Sequence, residues 1–85
     1  MTEEKKIGKI THFFSKIGVG VIELSDTLKI GETIKVVGSN HEFNQIVDSM
    51  QVEHESIEQA QAGEEVGLKL NGLAKEGDKV YRVIE

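Results

Sequence analysis

Apolar residues along this chain recur at every second position more often than at the helical spacing of three or four. The segment 33–37, TIKVV, shows the pattern, because in an extended strand Ile34 and Val36 lie on one face and Lys35 on the other. The segment 66–70, VGLKL, alternates in the same way. β-Branched residues dominate the apolar runs, which favours strands over helices. The pattern predicts an all-β protein.

The alternation predicts six strands, over residues 6–14, 20–24, 33–37, 43–52, 66–70 and 79–84. Within the fourth of these the alternation slips, since the apolar residues Val47 and Met50 differ in parity, and a β-bulge is expected near 47–49. The segment 56–61, SIEQAQ, allows one helical turn at most before Gly63. Closing six short strands on one another removes exposed sheet edges. We therefore expect a small six-stranded antiparallel β-barrel, closed or nearly closed.

Length and composition are those of one globular domain. The chain has 85 residues, 38% of them hydrophobic, which predicts a single domain over 1–85 with a flexible N-terminus over 1–5. No apolar run approaches the roughly 18 to 20 residues of a membrane span, and the first residues do not form a signal peptide. A cytoplasmic location is the resulting expectation. Without Cys, disulfides, thiolate metal sites and cysteine nucleophiles are excluded.

Charge is distributed unevenly along the chain. The formal net charge is -5, yet residues 1–38 hold six Lys against five acidic residues, whereas 39–85 hold four basic against ten acidic residues. The first predicted strand and the turn after it therefore form the locally basic stretch, a candidate for contact with a phosphate backbone or a protein partner. The alternative is that these lysines protect a sheet edge from pairing with another chain. The candidate binding residues are Lys5, Lys6, Lys9, His12, Phe13 and Lys16.

Catalytic and metal-binding patterns are weak. His12, His41 and His54 lack the spacing of a metal site, and neighbours on a strand point to opposite faces. The serines lack the context of a nucleophile elbow, and the carboxylates do not indicate an acid–base pair. We therefore expect no bound metal, no cofactor and no enzymatic activity.

Two phrases resemble known β-barrels. LKIGETIKVVG, at 28–38, and AQAGEEVGLKLNG, at 60–72, resemble the second-domain barrel of translational GTPases of the elongation factor Tu and initiation factor 2 kind. LKIGETI, at 28–34, and GDKVYR, at 77–82, are similar to the small barrel at the C-terminus of U32-family peptidase-like proteins. The sequence contains no phosphate-binding loop of the form G-x-x-x-x-G-K-[ST], so GTP binding and GTPase activity are not expected.

Three hypotheses about the function remain open. The first is a stand-alone, non-catalytic translation-factor-like barrel that binds tRNA, rRNA or a ribosome-associated protein through the basic stretch and exposed aromatic residues such as Phe13, Phe14 or Tyr81. The second is an accessory barrel that partners a separately encoded U32-type peptidase-like protein. The third is a purely structural or self-associating module, in which strand exchange or edge pairing would give a homodimer. The first is our main prediction, because its match to the sequence is the longest.

Overall fold

The computed structural model describes residues 3–53 and 55–84, and over this part the chain is all-β, as predicted. No helix in these ranges is long and apolar enough to cross a membrane. The strands are β1 (Glu3–Phe14), β2 (Val19–Leu24), β3 (Leu28–Lys29), β4 (Thr33–Val37), β5 (Glu42–Ile46), β6 (Met50–Val52), β7 (Glu55–Ile57), β8 (Gln59–Ala60), β9 (Glu65–Lys69) and β10 (Lys79–Ile84).

The strands form a larger and more open sheet than predicted. Within the described residues, eight strands pair antiparallel in the order β5-β4-β10-β1-β2-β9-β6-β7, and β3 pairs with β8 separately. The antiparallel all-β prediction is confirmed, but the predicted six-stranded barrel, closed or nearly closed, differs from this eight-stranded sheet, whose edge strands β5 and β7 do not pair with each other. The side chain of Gln45 spans from β5 to the end of β9, donating to the Lys69 carbonyl oxygen at 2.9 Å and accepting from the Asn71 N–H at 2.7 Å.

The additional strands come from two segments. The predicted strand 43–52 divides at 47–49, because the Val47 backbone bonds to Gly31 and Glu32 and turns the chain from β4 towards β9. β5 therefore pairs with β4, whereas β6 pairs with β9. The segment 56–61 forms parts of β7 and β8 instead of a helical turn.

The long strand β1 pairs with β10 along its first part and with β2 along its second. Its register shifts between Lys6 and Gly8, so that Ile7 and Gly8 are both buried while Lys6 and Lys9 both face solvent. A second shift lies between residues 10 and 12. Residues 3–5, within the expected flexible segment 1–5, belong to β1, whereas residues 1 and 2 lie outside the described part.

One core draws on strands across the whole width of the sheet. Its largest fully buried side chains include Ile7, Ile10, Ile22, Leu28, Ile34, Met50 and Leu68. Phe13, Phe43, Val52 and Ile57 pack against it while partly buried. Gly31, in the turn before β4, has a φ of 95°, a conformation that glycine adopts at little cost. Ile34 and Val36, which the alternation placed on one face of a strand, both belong to this core.

Candidate partner-binding surfaces

The structure divides the predicted basic stretch among three places. Lys5 turns towards the β2–β3 loop, where its Nζ lies 2.7 Å from Asp26 Oδ2. Lys6 and Lys9 face outward from the sheet, a consequence of the shift at residues 7 and 8. His12 and Lys16 lie at the far end of β1 and in the turn after it. Continuity in sequence therefore does not produce one basic patch.

Lys5 belongs to a network of ion pairs around Asp26. Arg82 Nη1 is 3.6 Å from Asp26 Oδ2, and Arg82 Nε is 2.9 Å from Glu32 Oε2, an ion pair whose N–H is not aligned for a hydrogen bond. Arg82 Nη2 donates to the Thr27 carbonyl oxygen. The hydrogen bond from Lys5 and the Thr27 N–H hold the pKa of Asp26 below its ordinary value of 3.8. These charges connect β1, β10 and the β2–β3 loop.

The outer face of β4, β10 and β1 carries lysines beside an aromatic residue. The register places Lys6, Tyr81 and Lys35 in one row across these strands, and Lys9 opposite Lys79 in another. Lys35 Nζ lies 3.1 Å from Glu42 Oε2 and 3.1 Å from Glu4 Oε2. These two carboxylates raise the pKa of Lys35 above its ordinary value of 10.5. The positive charge of Lys35 is therefore balanced by two acidic side chains.

A third surface lies where the β1–β2 hairpin meets the loop after β9. We call it the hairpin end and define it as residues 12–18 and 69–76. Phe13 packs against the core here, whereas Phe14 is 45% exposed and contacts the His12 ring at a centroid distance of 4.4 Å. Ile17 and Leu73 are 63% and 74% exposed. Sequence reasoning missed these two, although apolar residues in predicted turns are a usable signal.

His41 and Asp78 form a pair that the sequence analysis did not identify. His41 Nε2 is 2.7 Å from Asp78 Oδ2, and the same carboxylate oxygen accepts from the Lys75 N–H at 2.9 Å. Gly38 leaves room for the ring, since a Cβ there would lie 2.5 Å from His41 Cε1. The pair joins the β4–β5 loop to the loop before β10. Within the described ranges, no group of three or more His, Cys, Asp or Glu side chains is arranged to hold a metal ion.

Comparison with known proteins relates the chain to peptidases. It is 44% identical over 81 residues to a protein of Methanocaldococcus jannaschii named an uncharacterized protease, and the match covers 94% of this chain. It is 30% identical over 78 residues to a collagenase of Porphyromonas gingivalis, covering 89% of this chain. The chain spans only about a fifth of the length of these relatives, 20% of the first and 22% of the second. No family model matches the chain.

Solved structures show the same fold. The C-terminal domain of a U32 peptidase from Geobacillus thermoleovorans superposes with a TM-score of 0.86 at 12% sequence identity, covering 92% of this chain and 91% of that domain. A selenomethionine variant of that domain gives a TM-score of 0.85 at 13% identity, covering 89% and 96%. The resemblance to the U32 C-terminal domain is confirmed, whereas the identification with elongation factor Tu domain 2 is not supported.

The comparisons also correct the expectation about catalysis. Sequence analysis predicted no enzyme, because the chain lacks a recognisable nucleophile or acid–base pair. That prediction is contradicted by relatives that are named protease and collagenase. The prediction used only these 85 residues, whereas the relatives that carry enzyme names are about five times as long. The residues of one small β-domain therefore did not reveal its relationship to longer proteins named as enzymes.

Proposed function

We propose that this chain serves a U32-type peptidase as the β-domain that binds the peptidase part and contributes to its action. The observation that carries the proposal is the 44% identity, over 94% of this chain, to the M. jannaschii protease. The agreement in fold with the C-terminal domain of a U32 peptidase supports it independently. Because the relatives are about five times as long as the matched segment, the peptidase part is the remaining four-fifths.

The proposal predicts a complex that can be reconstituted. The M. jannaschii protease without its 81 matching residues is mixed with this chain, and the mixture is analysed by size-exclusion chromatography at low and at high salt. We expect co-elution at both, because an apolar protein interface is only weakly screened by salt. Peptide hydrolysis by the truncated protease should also rise when this chain is added. Separate elution at both salts, with unchanged hydrolysis, would contradict the proposal.

RNA binding is tested by adding tRNA to this chain, without the truncated protease, in the same chromatography at low and at high salt. The lysines of the outer face and Tyr81 are the feature that could contact a phosphate backbone, but Glu4 and Glu42 already bind Lys35. Binding to phosphates depends steeply on salt, since it releases counterions. RNA recovered with the chain at low salt and lost at high salt, without peptidase, would favour the translation-related prediction over the peptidase proposal.

A further inference from the structure

Exposed apolar side chains are concentrated at the hairpin end. Of the four most exposed large apolar side chains in the part of the chain that the structure describes, Leu73, Ile17 and Phe14 lie there, and Ile46 lies on β5. Isolated exposed apolar residues are common on protein surfaces, whereas grouped ones mark interaction sites. The grouping makes the hairpin end a candidate docking surface.

Backbone and side-chain contacts hold the loop of Leu73 beside the hairpin. The Leu70 N–H donates to the Gly18 carbonyl oxygen at 2.8 Å, three residues before Leu73. Glu76 Oε1 lies 3.4 Å from His12 Nδ1, three residues after it. Leu73 is thus bracketed by two contacts to the same hairpin, and the apolar side chains belong to one end of the molecule.

The surface is supported from beneath by the core. Phe13 packs against the core directly behind the exposed Phe14. A Cβ on Gly20 would lie 2.7 Å from Leu70 Cδ1, and a Cβ on Gly72 would lie 2.8 Å from the Phe43 ring, so the loop packs closely on the sheet. A surface held in this way loses little conformational entropy when a partner binds, which favours affinity.

Charge at the hairpin end is opposite in sign to that of the whole chain. Residues 12–18 and 69–76 contain Lys16, Lys69 and Lys75 against Glu76, whereas the chain as a whole has a formal charge of -5. A basic rim around apolar side chains matches a partner surface that is apolar with an acidic rim. Two copies that meet hairpin end to hairpin end would bring two basic rims together, and like charges repel.

We propose that the hairpin end is the surface that docks on the peptidase part of a U32-type protein, at an apolar patch with acidic surroundings. This inference rests on the proposed function, and it adds which surface makes the contact. The relatives indicate which partner this is, because the segment that matches this chain makes up only 20% of the M. jannaschii protein and the remaining chain is about four times as long. Ile17 and Leu73 insert into the partner, and Lys16 contacts its acidic rim.

The test compares two isoleucines of nearly equal exposure. Ile17→Asp changes the hairpin end, and Ile46→Asp makes the same change on β5, where the side chain is 61% exposed. Through Thr33 on β4 and Val83 on β10, the register places Ile46 level with Glu4, at the end of β1 opposite the hairpin end. Each variant is checked for a cooperative thermal transition and then titrated against the truncated M. jannaschii protease by calorimetry. Leu73→Asp is a second variant at the hairpin end, outside any strand.

We expect Ile17→Asp and Leu73→Asp each to weaken binding about tenfold or more, as central apolar contacts do, and Ile46→Asp to leave it unchanged. If the unaltered chain binds and Ile17→Asp and Leu73→Asp bind equally well, the hairpin end is not the docking surface, while the proposed function stands. If the unaltered chain does not bind, the proposed function fails and this inference fails with it. Loss of binding in Ile46→Asp alone would place the interface on β5.

Discussion

Single charged residues near Asp26 hold three elements together. Lys5 and Arg82 both approach the same carboxylate oxygen, Asp26 Oδ2, from β1 and β10. Lys5 is largely exposed, so its ion pair is screened by water and its stabilisation is modest. The sequence analysis assigned Lys5 to a binding surface, whereas its position gives it a structural contact. A charge pattern along a strand does not reveal which of its residues are neutralised by another element.

Asp26→Asn should change how stability depends on pH. The pKa of Asp26 is lowered in the folded chain, mainly by the hydrogen bond from Lys5, so the carboxylate stabilises the fold above pH 3.8 and loses this effect as the pH falls through its folded pKa. The unaltered chain should therefore have the larger free energy of unfolding, and its difference from Asp26→Asn should be constant above about pH 5 and shrink below that pH. Urea unfolding across this range measures it.

The control for Asp26→Asn is Lys5→Met, in which the carboxylate remains and its main partner is removed. NMR titration should then place the pKa of Asp26 closer to 3.8 than in the unaltered chain. If the unaltered chain and Asp26→Asn differ in free energy of unfolding by the same amount at neutral and at acid pH, the ion pair between Lys5 and Asp26 does not stabilise the fold.

At the scale of elements, the type and position of most strands were predictable, and the irregularities were not. Predicted 33–37 is β4 and predicted 79–84 is β10, because their alternation matches one buried and one exposed face. The break at 47–49 was predicted as a bulge within one strand, whereas it separates two strands. Whether an irregular step is a bulge or a break depends on which strands lie alongside, and a local pattern does not contain that information.

Gly8 and Gly67 test how glycine is used within strands. A Cβ on Gly8 would lie 2.6 Å from the Glu23 carbonyl oxygen, whereas a Cβ on Gly67 would lie 3.6 Å from Val19 Cγ1, an ordinary contact. Gly8→Ala should therefore destabilise by about 1–3 kcal/mol through overpacking. Gly67→Ala should be neutral or stabilise by up to about 1 kcal/mol, because alanine loses less backbone entropy. Thermal and urea unfolding compare them.

Both glycines lie in strands and neither has a positive φ, so each variant controls for the other. A glycine inside a strand often marks a point where another backbone approaches closely. The structure gives that role to Gly8, where β1 shifts register against β10 beside β2. Equal stability of Gly8→Ala and Gly67→Ala would mean that β1 can move away from Glu23 at little cost.

For the whole molecule, the candidate surfaces were less predictable than the fold. A basic stretch can be found by counting charges along the sequence, but its lysines lie in separate places. Lys5 contacts Asp26 in the β2–β3 loop, Lys6 and Lys9 lie on the outer face, and Lys16 lies at the hairpin end. The hairpin end combines residues about 55 positions apart, 12–18 with 69–76, which meet only because β2 pairs with β9. Such a surface depends on topology, and the alternation of apolar and polar residues does not determine topology.

For the whole molecule, Gln45 links the edge strand β5 to the end of β9, where the ladder does not close. Gln45→Ala removes the partners of the Lys69 carbonyl and the Asn71 N–H, and partly buried polar groups left in this way cost about 1–3 kcal/mol. We expect the free energy of unfolding to fall by that amount and the Asn71 amide to exchange faster with solvent. The control is Asn44→Ala, because Asn44 directly precedes Gln45 and its side chain faces outward. This variant should change the free energy of unfolding by less than about 0.5 kcal/mol. If the Asn71 amide exchanges equally fast in the unaltered chain and in both variants, β5 does not depend on Gln45 for its position, and packing against the core holds it there.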